Sequence, residues 1–189
     1  MFLKTICRLD WKIDGMEHFP NMAVLVAAKH QSAWDTIVMP LLFPGAAVVL
    51  KRELTWIPFY GWYIRKYGTI PIERNRGVSA LRKMRQAARI HCEGGKSVII
   101  FPEGTRAEPG APIALQSGVA ALYKDLNIFV LPIALNSGRF WGRRTITRQP
   151  GTITVKILPP IPPGLTKQEF LRQLGQDINE AQASLTPSG

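Results

Sequence analysis

A chain of 189 residues with 46% hydrophobic and 20% charged side chains is long enough to bury a substantial core and too apolar to be disordered. Twenty-four Lys and Arg against 13 Asp and Glu leave a formal charge of +11, which favours anionic partners: nucleic acid, an anionic membrane surface, an acidic carrier protein or a phosphorylated substrate. Cys7 and Cys92 are far apart with no C-x-x-C pair, which excludes a disulfide framework and a cysteine zinc site and agrees with a reducing compartment.

The opening MFLKTICRLD has too short an apolar stretch for a signal peptide. MAVLVAA (22–28) reads as a strand, and the residues after it set His30 and Asp35 at its polar end. AWDTIVMPLLF (33–43) reads as a helix entered through a capping box, Ser32 at the N-cap and Asp35 at N3. The longest apolar run, TIVMPLLFPGAAVVL (36–50), is broken by Pro40, Pro44 and Gly45; a spanning helix needs about 20 apolar residues, so no transmembrane segment is expected. AAVVL (46–50) is a second strand, ending at Lys51. LTWIPFYGWYIRKYG (54–68) interleaves Trp56, Phe59, Tyr60, Trp62, Tyr63 and Tyr67 with Arg65 and Lys66. That composition suits a membrane–water interface, a core helix with a basic outer face, or base stacking on nucleic acid. GRFWGRRT (138–145) carries the same ambiguity.

TIPI (69–72) and SVIIF (97–101) read as further strands, with VSALRKMRQAARIHCE (78–93) and LQSGVAALYKDL (115–126) as helices. IFVLPIAL (128–135) is a strand in which Pro132 predicts an edge position or a bulge, and TITVKIL (152–158) is another. LPPIPPG (158–164) is a rigid connection to a last helix, which opens on a Thr166–Glu169 capping box and shows an apolar face through Phe170, Leu174, Ile178 and Leu185. Runs rich in Val and Ile alternating with helices predict one α/β domain over 1–189, with a mostly parallel central sheet flanked by helices.

The strands at 22–28, 69–72, 97–101 and 128–135 end in KHQSAWD, ERNR, PEGTR and NSGR. If they are parallel, these clusters emerge at one edge, where open α/β sheets bind ligands. A carboxylate beside an imidazole fixes its tautomer and stabilises the imidazolium, so His30 and Asp35 form the histidine–acid half of a triad without a serine nucleophile. In FPEGTR (101–106), Gly104 permits a tight turn and Arg106 offers a bidentate fork to a phosphate, while Glu103 can orient that arginine or bind a hydroxyl. Arg74 and Lys51 are two more candidate phosphate ligands. No metal-ligand cluster appears, and no metal is expected.

The ordered motifs H-x-x-x-x-D, G-T-I-P-I-E-R, F-P-E-G-T-R and V-L-P-I-A-L resemble those of the glycerolipid acyltransferases, and more closely the bacterial 1-acyl-sn-glycerol-3-phosphate acyltransferases. The likeness runs from a strand near Asp10 to the last helix. It implies His30 as general base with Asp35 as its partner, and Arg74 as ligand of the acceptor phosphate. Glu103, Gly104, Thr105 and Arg106 would bind the glycerol phosphate, Pro132 would shape the acyl-donor site, and Lys51 would be a further phosphate ligand. The implied reaction moves an acyl group from an acyl-CoA or acyl carrier protein thioester to the sn-2 hydroxyl of lysophosphatidic acid, giving phosphatidic acid without a cofactor or a covalent acyl-enzyme. Backbone amides near Gly104 are the candidate oxyanion donors. The implied setting is peripheral, on the cytoplasmic face of a bacterial inner membrane, held through 54–68, with no nucleic-acid partner. Many relatives carry an apolar anchor before the first motif, whereas 29 residues precede His30 here, and Lys29 stands where Asn is common. Two alternatives stay open: another acceptor, such as a lyso-ornithine lipid or glycerol 3-phosphate, and a non-catalytic basic module for membranes or nucleic acid.

Overall fold

In the computed structural model, residues 5, 7–73, 77–143, 145 and 147–185 are described. The Val- and Ile-rich runs form β2 (Leu25–Ala28), β3 (Ala47–Lys51), β4 (Thr69–Ile72), β5 (Val98–Ile100), β6 (Val130–Leu135) and β7 (Gly151–Ile157), joined by an N-terminal β1 (Leu9–Asp14). The helices are α1 (Ala33–Leu42), α2 (Tyr60–Tyr67), α3 (Gly77–Glu93), α4 (Ser117–Leu126), a single turn α5 (Ser137–Phe140) and α6 (Lys167–Leu185). The strands make one seven-stranded sheet in the order β1-β7-β6-β2-β5-β3-β4. From β6 to β4 every pairing is parallel; β7 runs antiparallel to β6, and β1 pairs parallel with β7.

Period-two alternation sends neighbouring residues of the buried strands to opposite faces. Leu25, Ala27, Val98, Ile100 and Val130 pack under Met84 and Ala88 of α3, Val119 and Leu122 of α4, and Phe170, Leu174 and Ile178 of α6. Val26, Ala28, Ile99, Leu131 and Ile133 pack on the other side against Trp34, Val38 and Met39 of α1 and Ile64 of α2. Apolar residues on both faces are what a central parallel sheet requires.

Both capping boxes form. Ser32 and Asp35 reciprocally satisfy the start of α1, and Glu169 Oε2 accepts from the Thr166 amide at 2.9 Å while the Glu169 amide donates to Thr166 Oγ1 at 3.3 Å. Pro132 is not at an edge. It lies in β6 between β2 and β7, and its carbonyl accepts from the Leu158 amide at 3.0 Å. The bridge Val130–Ile161 and the pair Ile133–Ile157 leave residues 131–132 opposite 158–160, so the ladder carries a bulge where proline has no donor to give.

Candidate active site

Because β2, β3, β4, β5 and β6 are parallel, their carboxyl ends share one edge. His30 leaves the end of β2, the F-P-E-G-T-R turn leaves β5 on one side of it, and Asn136-Ser137-Gly138 leaves β6 on the other.

The N-terminal geometry of α1 brings Asp35 back over the residues that precede it. Its Oδ2 accepts from His30 Nδ1 at 3.0 Å and from the amides of Gln31 and Ser32, each at 2.8 Å. Its Oδ1 accepts from Ser137 Oγ at 2.5 Å. Asp35 is fully buried, so these donors replace its hydration. An ionised carboxylate only accepts, so Nδ1 carries the proton and Nε2 is left as the base. The His30 ring stacks on Phe101 with centroids 4.3 Å apart, and its side chain keeps 14% exposure, enough for a substrate hydroxyl to reach it.

The F-P-E-G-T-R turn is stitched to the same histidine. Glu103 Oε2 accepts from the His30 amide at 2.7 Å, and the Ala107 amide donates to the His30 carbonyl at 2.8 Å. Gly104 takes a left-handed φ of 68°, a conformation open to glycine, and its amide donates to the Phe101 carbonyl at 2.9 Å. That bond commits the Gly104 amide to the turn, so it is not an oxyanion donor.

Glu103 is turned inward. Its side chain is 2% exposed, and its Oε1 lies 3.3 Å from Nζ of the fully buried Lys29. Lys29 Nζ also donates to the Ala111 carbonyl at 2.8 Å. Burial pushes the Glu103 carboxyl above its ordinary range, opposed by the His30 amide and by Lys29. The carboxylate therefore holds the backbone of residue 30 and pairs with Lys29, and no hydrogen bond or ion pair joins it to Arg106 among the described residues.

Thr105 is exposed and Arg106 half-buried beside this turn, and Arg106 makes no ion pair among the described residues. Lys51 is exposed at the end of β3, two strands from β2 and hence roughly 10 Å across the edge. Its register partner is Ile72, the last residue of β4. Arg74 itself lies outside the described residues; the preceding Glu73 pairs with Arg52. Pro132 is buried within the sheet, opposite Ala27 of β2. No group of His, Cys, Asp and Glu suited to a metal ion occurs among the described residues.

Reading the sequence missed Ser137 and undervalued Lys29. The signal for Ser137 was N-S-G directly after an interior strand; that for Lys29 was a cation at the last position of an apolar run.

The family model described as Acyltransferase matches residues 10–136. A 1-acyl-sn-glycerol-3-phosphate acyltransferase of Pseudomonas aeruginosa is 31% identical over 188 residues, covering 97% of this chain and 73% of that protein. The human 1-acyl-sn-glycerol-3-phosphate acyltransferase alpha is 30% identical over 173 residues, of which this chain covers 61% of the length, and the Limnanthes douglasii enzyme is 33% identical over 152 residues, with 54% of its length covered. Among solved structures, the Thermotoga maritima 1-acyl-sn-glycerophosphate acyltransferase PlsC superposes with a TM-score of 0.80 at 25% identity, covering 97% of this chain and 76% of that one.

Proposed function

The chain belongs to the acyltransferase family, and we propose that it transfers a fatty acyl group from an acyl-CoA or acyl carrier protein thioester to the sn-2 hydroxyl of lysophosphatidic acid. The observation that carries this reading is the His30 Nδ1–Asp35 Oδ2 contact of 3.0 Å, with Glu103 of the E-G-T-R turn and Ala107 directly after it hydrogen-bonded to the two backbone polar groups of His30.

His30 Nε2 takes the acceptor's hydroxyl proton as that oxygen bonds to the thioester carbonyl carbon. The tetrahedral intermediate then expels the thiolate, which receives the proton back from the imidazolium, giving phosphatidic acid and a free thiol. Asp35 stabilises the imidazolium in between. Arg106, joined by Lys51 and Arg74, holds the acceptor phosphate so that the hydroxyl lies at the imidazole, which is catalysis by positioning.

The membrane part of the proposal rests on a surface. Trp56 is 66% exposed, Phe59 90% and Trp62 71%, with Ile57, Ile37 and Leu41 also exposed. Their neighbours Leu54, Tyr60, Tyr63 and Ile64 pack inward, and Tyr63 OH donates to the Ile37 carbonyl at 2.8 Å, tying α2 to α1. These outer rings are therefore not core, and Arg65 and Lys66 are exposed beside them. Phe59 holds this place at a φ of +60°, a backbone cost of about 1–3 kcal/mol for a non-glycine residue. Exposed rings with flanking cations suit an anionic lipid surface approached from the side, as a peripheral protein would. No helix among the described residues is long and apolar enough to cross a membrane.

The test is turnover of lysophosphatidic acid by purified protein with each donor. His30→Ala lowers kcat by about 10²–10⁴-fold, the usual contribution of general-base catalysis, while liposome binding is retained. An acceptor lacking the phosphate is turned over poorly. Equal rates for His30→Ala and the unsubstituted chain would remove the assignment, and indifference to the phosphate would point to another acceptor.

A further inference from the structure

We infer that Ser137 is a positioning residue for the His30–Asp35 pair, delivered by the Asn136-Ser137-Gly138 segment at the end of β6; its catalytic consequence rests on the acyl-transfer reading above.

The three donors to Asp35 Oδ2 come from residues 30, 31 and 32, all in the loop before α1. The other oxygen depends on a different part of the chain: Ser137 Oγ, 102 positions away, donates to Oδ1 at 2.5 Å. Rotation about Cβ–Cγ moves both oxygens together, so a donor on Oδ1 opposes the same motion as the three on Oδ2, from the opposite side of the carboxylate. Ser137 thereby helps keep Oδ2 aligned with Nδ1 and the ring in the tautomer whose Nε2 is free of a proton. Ser137 is itself fully buried, and so is Asp35, so water cannot easily replace the hydroxyl.

Each residue of the segment grips a different element. Asn136 Oδ1 accepts from the Thr154 amide of β7 at 2.8 Å. Ser137 reaches Asp35, and the Gly138 amide donates to Gln31 Oε1 at 3.2 Å. Gly138 sits so close that an added Cβ would lie 2.8 Å from Gln31 Cβ. An amide acceptor, a hydroxyl donor and a residue without a side chain are what this clamp needs, in that order. It locks the loop bearing His30 to the neighbouring strand and to β7.

Ser137→Ala and the near-isosteric Ser137→Cys, a weak donor, are compared with Asn136→Ala, which cuts the segment's tie to β7 and leaves the Asp35 contact in place. Two readouts are taken: kinetics with lysophosphatidic acid and acyl-CoA, and the His30 Nδ1–H resonance in ¹⁵N-histidine-labelled protein, identified by its loss in His30→Ala. With Ser137→Ala, kcat falls by about 10- to 100-fold, part of the general-base contribution, while KM for both substrates holds. In an Asp35→Ala background the same substitution costs nothing more, because it acts through the carboxylate. The resonance shifts or broadens in both Ser137 variants and stays in place in Asn136→Ala, even though that variant lowers Tm. Losses that add to those of Asp35→Ala, or an unmoved resonance, would overturn the inference, as would failure of both Ser137 variants to fold, which would make the serine purely structural. An unsubstituted chain that does not turn over lysophosphatidic acid would refute the acyl-transfer reading, and the resonance would still report on Ser137.

Discussion

Replacing Lys29 by Met removes the charge from a side chain that is 0% exposed and leaves Glu103, 2% exposed, without its ion-pair partner. The two side chains are close in length, so the volume change is small and the effect is electrostatic. Removing one partner of a buried pair costs about 3–5 kcal/mol, because the remaining charge is stranded. The lost bond to the Ala111 carbonyl falls within that range, since the two contacts share one Nζ and do not add. The cost depends on pH in a fixed direction. Burial holds the Glu103 carboxyl above its ordinary range, and losing Lys29 raises it further. A carboxyl raised in the folded state penalises folding at pH above its folded-state pKa, and the penalty fades as pH falls towards the unfolded-state value near 4.3. Urea unfolding at about pH 8 should therefore show the full loss, and at about pH 5 a smaller one. Lys29→Met with Glu103→Gln should recover part of the stability at the higher pH, the amide still accepting from the His30 amide. A loss below about 1 kcal/mol, the same at both pH values, would show that no buried charge pair exists here.

Arg106→Ala is expected to raise KM for lysophosphatidic acid by about 10- to 100-fold, the worth of a charge-assisted hydrogen bond, with KM for acyl-CoA little changed; steady-state kinetics with each substrate varied in turn would check this, and a shift confined to the donor would reassign the residue. Replacing Trp56, Phe59 and Trp62 together by Ser should leave Tm nearly unchanged, since the rings are exposed, and weaken co-sedimentation with vesicles rich in anionic lipid. Unaltered sedimentation would remove this surface from the proposal. Added salt should weaken the binding that remains, because Arg65 and Lys66 act through screened charge.

The parts of this fold that follow local rules were legible in the sequence. The Val- and Ile-rich runs, the helix over 77–93 and both capping boxes lie within a few residues of where composition and spacing put them. The shared edge was legible too, because it needs only parallel strands with polar ends. Strand β1 was less so: L-D-W-K-I-D alternates apolar and charged residues over six positions, a weak pattern that pairing with β7 makes a strand. The pairing of Glu103 with Lys29, 74 positions away, was not legible, because no local pattern names the partner of a buried cation. The 54–68 segment was ambiguous for a related reason. Amphipathic spacing shows that two faces differ, and only packing against α1 shows that Trp56, Phe59 and Trp62 are on the outer one.

The connectivity of the hydroxyls bears on the kind of acyl transfer this edge can perform. A serine, an aspartate and a histidine meet here, as they do in serine hydrolases, but in a different sequence of contacts. In a hydrolase triad the serine hydroxyl gives its proton to the histidine, and the aspartate holds the far side of the ring. Here Ser137 Oγ donates to Asp35 Oδ1, on the carboxylate side of the imidazole. It is engaged with the acid instead of the base, and a hydroxyl so placed cannot be deprotonated by His30. Ser32 is spent as well, its Oγ accepting from the Trp34 amide at 3.2 Å in the cap of α1. Nε2 is thus without a protein alcohol to activate from either serine. That arrangement suits the proposed direct transfer to an acceptor alcohol better than a covalent acyl-serine. It also gives the neighbouring cations a purpose, since an external nucleophile must be held in place before the imidazole can use it.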